Sequence, residues 1–159
     1  MKKEASLSEV QSSGDPEFRY RMMREVVEVV AGRGTLFMPL LNLVTTFIDG
    51  LASGAPSGTK AAYLEYVKVH FPELCSSLGA EVFYNKYRNA AVHEFNLKPG
   101  FAIGRDSGME GAYVGSQTIT ETGEEIKLLN IDRLVKDFLT HVRSLEEAAK
   151  KAVGSGGAA

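Results

Sequence analysis

The 159-residue chain has no tryptophan, a single cysteine, three histidines and five prolines, and it holds no long apolar run. Each scarcity excludes something. One cysteine, Cys75, rules out an internal disulfide framework and fits a reducing compartment, so the cytoplasm is the expected location. No stretch approaches the roughly 20 apolar residues that span a bilayer, and the two N-terminal lysines are not followed by the apolar segment of a secretory signal. The formal net charge of −2 argues against a protein that coats duplex nucleic acid indiscriminately, although it permits a local basic pocket.

With so few histidines and one thiol, the usual catalytic constellations are also missing. His70, His93 and His141 fall on three different predicted helices with no i, i+4 pair, so no metal site is expected. There is no G-x-S-x-G elbow, and Cys75 has no motif around it, which leaves it a small packing residue. The segment Gly54-Ala55-Pro56-Ser57-Gly58-Thr59-Lys60 superficially matches a phosphate loop. Its glycine spacing is too short, Thr-Lys stands in the wrong order, and no strand precedes it, so it reads as an inter-helix loop. No cofactor is implied.

What is present is a helical pattern. Residues 1–14 are polar and read as a disordered leader. Asp15-Pro16-Glu17 forms a helix start, although Asp15 to Phe18 reads equally as a cloning-site remnant. A first helix is predicted from about Pro16 to Val30, ending at Gly32-Arg33-Gly34. Thr35 is placed to cap a second, apolar almost all round and therefore buried. Apolar spacing predicts a third from Thr59 to Phe71, stopped by Pro72. A fourth, capped by Ser76 or Ser77, would run through Leu78, Phe83, Tyr87 and Val92 to about Phe95.

After Pro99-Gly100, aromatic and β-branched residues predict two or three short strands, over Phe101–Arg105, Tyr113–Thr120 and Glu124–Leu129. Asn130 or Asp132 then caps an amphipathic helix from Ile131 to about Val153, and the tail 154–159 is expected to be flexible. The expected fold is mainly α: one domain over 15–153, a four-to-five-helix bundle with a small β-hairpin inserted at about 100–129.

The fourth helix carries the candidate site. At about 100° per residue, Asn85, Asn89 and His93 share one stripe, whereas Arg88 lies about 140° from His93. The pair would meet only if the helix unwinds near Glu94 or a second subunit presents its own arginine. A polar stripe that merely faces water or caps the helix end is the competing reading. Alanines at 90 and 91 would let another helix come close.

Arg88-Asn89-x-x-x-His93 resembles the arginine, polar residue, x3, histidine motif of the HEPN superfamily (higher eukaryotes and prokaryotes nucleotide-binding domains). The similarity extends to the motif's place late in a fourth helix, to the preceding Phe83, Tyr84 and Tyr87, and to Asp49 near the end of the second helix. It covers roughly residues 18–98 plus the last helix, and the β insertion is not part of the shared core. The resemblance implies a homodimer whose motif helices face across a two-fold axis, and, in many members, metal-independent cleavage of RNA. His93 would then act as general base or acid, Arg88 would stabilise the phosphorane, and Asn89 would orient phosphate or histidine. Tyr84 or Tyr87 would stack a base, and Asn85, Lys86 and Asp49 would complete substrate binding. Toxin–antitoxin or defence roles go with that activity. Other HEPN domains are non-catalytic and bind a nucleotide or a protein partner such as an antitoxin or a nucleotidyltransferase.

Overall fold

The computed structural model describes residues 15–54, 59–94 and 96–155, so the expected leader 1–14, loop positions 55–58 and tail residues 156–159 lie outside it. The described chain is mainly helical. Asp15 caps α1 (Pro16–Ala31) by accepting from the Glu17 N–H, with proline at the first helical position where its missing donor costs nothing. α2 (Phe37–Ser53) follows. Thr35 does not cap it: the residue before the helix is Leu36, and the Thr35 hydroxyl turns back to the Arg33 carbonyl. Thr59 caps α3 (Lys60–His70) by accepting from the Ala62 N–H.

Pro72 does more than stop α3. It begins a short helix of its own, α4 (Pro72–Ser77), so Ser76 and Ser77 end a helix rather than cap the next. The turn out of α4 is made at Gly79, whose φ of 87° an L side chain rarely adopts. α5 (Ala80–Val82) then runs without interruption into two π-helical segments, Phe83–Arg88 and Ala90–Glu94.

The inserted segment is a three-stranded sheet rather than a simple hairpin. β2 (Val114–Thr118) and β3 (Glu125–Asn130) form the expected antiparallel pair, and β1 (Phe101–Gly104) lies parallel to β3 on its other side. Asn130 joins this sheet to the last helix, α6 (Ile131–Ser155). Its Oδ1 accepts from the Arg133 N–H as a cap, and its Nδ2 donates to the Ala112 carbonyl at 2.8 Å and to Asp106. α6 continues through Gly154 and Ser155, beyond the predicted end.

The core gathers the inward faces of every helix around the fully buried rings of Tyr63, Phe83, Tyr87 and Phe138. α1 and α6 pack side by side and are crosslinked by Arg24–Glu146 at 2.9 Å and Arg143–Glu28 at 2.8 Å. The sheet is anchored to the helices by buried Leu129 and Tyr113, and by the Tyr87 hydroxyl, which donates to the Lys127 carbonyl at 3.1 Å. No described helix is long and apolar enough to cross a membrane.

Candidate active site

The widened helix decides the geometry of the motif. In an α-helix the Asn89 N–H would donate four residues back; here it donates to the Tyr84 carbonyl, five back. Such turns are rare and frequently coincide with functional sites. One turn then holds roughly 4.4 residues, and residues five apart come within about 50° of each other instead of about 140°. Arg88 and His93 therefore meet within a single chain, with Arg88 Nη1 3.3 Å from His93 Nε2. The expectation that they need a second subunit, or unwinding near Glu94, is corrected by this change of helical pitch. The Asn85–Asn89–His93 stripe disappears for the same reason. Asn85 is exposed and donates to Glu81, while Asn89 turns to Arg88.

α2 meets the widened stretch directly. Asn42 Nδ2 donates to the Ala91 carbonyl at 3.0 Å, so a side chain from a neighbouring helix satisfies a backbone acceptor in the widened stretch. Ala90 and Ala91 are both fully buried, which lets α2 come this close.

Two helical turns further along α2, Asp49 is 4% exposed and receives the Arg88 guanidinium on Oδ2, from Nε at 3.0 Å and from Nη2. Nη1 then donates to Asn89 Oδ1 at 2.9 Å and to His93 Nε2. Arginine can only donate, so the neutral His93 ring must accept at Nε2 and carry its proton on Nδ1. The guanidinium also lies over the Tyr84 ring, 5.0 Å from its centroid. Arg88 is thus held on one edge by a buried carboxylate, on one face by an aromatic ring, and presents its remaining edge to an exposed histidine. His93 itself faces solvent.

Of the residues singled out in the sequence, Arg88, Asn89, His93, Asp49 and Tyr84 come together. Tyr87 does not join them: it is fully buried and its hydroxyl holds the sheet, so it cannot stack a base. Lys86 points the other way, over the Phe101 ring at 5.6 Å.

Tyr63 is a neighbour that sequence reasoning did not single out. Its ring meets Tyr84 edge-on at 5.1 Å, and its buried hydroxyl finds no hydrogen-bond partner among the described residues. Burial, reinforced by the Asp49 carboxylate, pushes that hydroxyl well above the ordinary tyrosine range, so it stays protonated.

A second cluster was also missed. His70 and His141, expected to stand apart, lie with ring centroids 4.4 Å apart, and Tyr66 Oη sits 2.6 Å from His141 Nε2. Burial, with His70 beside it, pulls His141 down to about 4. Among the described residues no group of three or more His, Cys, Asp or Glu side chains could hold a metal ion. Cys75 is half-buried, and burial raises its thiol, which suits a packing residue.

No family model, no curated protein and no solved structure matches the chain.

Proposed function

We propose that this chain is a HEPN-like, metal-independent endoribonuclease of toxin or defence type, with Arg88, Asn89 and His93 as its reacting groups. The observation that carries the reading is the Arg88 guanidinium, held by buried Asp49 so that its outer edge meets exposed His93.

The arrangement suits transfer at an RNA phosphate. A phosphate oxygen competes with His93 Nε2 as acceptor for Arg88 Nη1, and when it wins, Nε2 is freed as a base. The 2′-hydroxyl loses its proton to Nε2 and its oxygen bonds to phosphorus. The bond to the 5′-oxygen breaks, leaving a 2′,3′-cyclic phosphate. Arg88 offsets charge on the equatorial oxygens during this step, with its fork already oriented. In a homodimer, the arrangement that the family resemblance implies, a second copy's His93 supplies the proton to the leaving oxygen.

The test is cleavage of single-stranded RNA by purified protein in EDTA, beside His93→Ala and Arg88→Ala. The expected loss in each variant is at least about 100-fold, with cyclic-phosphate ends in the wild-type product. Equal cleavage by all three proteins would mean a contaminant and overturn the proposal.

One observation favours a second reading, a non-catalytic module that binds a nucleotide or a protein partner. Every edge of the Arg88 guanidinium is already engaged, as in a structural latch. Absent cleavage, with His93→Ala altering stability or nucleotide binding instead of a rate, would select it.

A further inference from the structure

A cavity of about 590 Å³ opens beside the exit of the motif helix, with much of its wall from the inserted sheet and its turns. Its walls are Phe37 and Met38 from the first turn of α2, Leu97 from the segment after the motif, Phe101 and Ile103 from β1, and Ile119 beyond β2. We propose that this cavity is a nucleobase subsite for the same single-stranded RNA strand, so that the sheet serves as the substrate-gripping part of the site. The proposal rests on the ribonucleotide reading of Arg88 and His93, and names what holds the neighbouring nucleotide.

Three features point to a base rather than to an apolar peptide or lipid. The volume lies within the range of small-ligand pockets, and two phenyl rings line it, as stacking of an unpaired base requires. Asn96 and Glu124 also line it, and they offer a donor and acceptors to a base edge. Three cationic side chains stand around the cavity. Lys86 sits over the Phe101 ring, Arg105 lies 5.7 Å over the Phe37 ring, and Lys98 lines the cavity. Lys98 and Arg105 pair with Glu94 and Asp132, but Lys86 makes no ion pair among the described residues, which leaves its charge for a phosphate.

Reach agrees. Asn96 follows His93 by three residues, so their Cα atoms are at most roughly 11 Å apart, a span that a flanking nucleotide covers.

The experiment is calorimetric titration with adenosine 3′-monophosphate and uridine 3′-monophosphate at low salt, using the wild type, His93→Ala, Ala102→Phe and Lys86→Glu. Ala102 lines the cavity, and a phenyl group there fills it. The expected result is binding by wild type and by His93→Ala, weakened about tenfold or more by Ala102→Phe, which removes a stacking contact of that order. Lys86→Glu should weaken binding several-fold and reduce its salt dependence by about one ion. The Lys86 change lies on the surface and keeps the test decisive if Ala102→Phe fails to fold. No binding by the wild type, or binding untouched by both substitutions, overturns the subsite. RNA cleavage without nucleotide binding would sink the subsite and leave the activity standing. Binding without cleavage would do the reverse.

Discussion

Removing the carboxylate of Asp49 tests the central tie of the site. Asp49→Ala leaves the Arg88 guanidinium, whose side chain is 13% exposed, beside a hole where its counter-charge stood. Breaking a buried ion pair by deleting one partner costs about 3–5 kcal/mol, because the remaining charge stays desolvated. Asn89 and His93 still accept from Nη1, so the lower end, about 3 kcal/mol, is expected. For a domain of this size that moves the urea midpoint by roughly 1.5 M. The pair with Arg88→Met should recover most of the loss, giving a coupling of about 2–3 kcal/mol in a double-mutant cycle. With no tryptophan in the chain, unfolding is best followed by the helical circular-dichroism signal. Additive single and double mutants, with coupling below about 0.5 kcal/mol, would refute the claim that Asp49 holds Arg88 in place.

Three other outcomes are expected. His141 is held down to about 4 when folded and titrates near 6.5 when unfolded, so the unfolded state binds more protons between those values; stability falls as pH drops from about 6.5 to about 4. The half-buried ring limits this to about 1–2 kcal/mol, and a His141→Gln variant whose stability declines equally over that window would contradict it. Tyr87→Phe removes the hydroxyl bond to the Lys127 carbonyl and should cost about 1 kcal/mol in chemical denaturation, with faster amide exchange in β3; unchanged exchange there would mean that the bond does not anchor the sheet. Gly79→Ala places a side chain at a φ of 87° and should lower stability by about 1–2 kcal/mol, whereas Gly154→Ala, at the end of α6, should change it by no more than a few tenths.

Elements governed by local chemistry were legible in the sequence. Asp15-Pro16 and Thr59 start helices as their side chains dictate, and the three strands fall within a few residues of their apolar patterns. Pairing was not legible, because β1 chooses β3 as a parallel neighbour over more than twenty intervening residues, and no local pattern encodes that. The site was half-legible. Arg88, Asn89 and His93 could be named from types and spacing, and Asp49 only through the family resemblance, but an α-helical pitch, which the chain does not keep, misplaces them. The widened stretch is also met by Asn42 at the Ala91 carbonyl, a contact between residues forty-nine apart that no local pattern encodes. His70 and His141 stand apart in the sequence for a similar reason: the meeting of α3 with α6 brings His141 to His70 and to Tyr66, one turn before it on α3, and no spacing encodes that.

The Asn89 to Tyr84 hydrogen bond has a consequence beyond joining an arginine to a histidine. Each five-residue turn takes in one more residue than an α-turn and so shifts the phase of everything downstream, like a tooth skipped on a gear. The segment leaving at Glu94 starts from that shifted phase, and β1 and the cavity wall inherit it. Resetting residues 83–94 to α pitch would therefore part Arg88 from His93 and swing the exit to the sheet in the same movement. Pitch, as much as residue identity, is what this chain has to preserve.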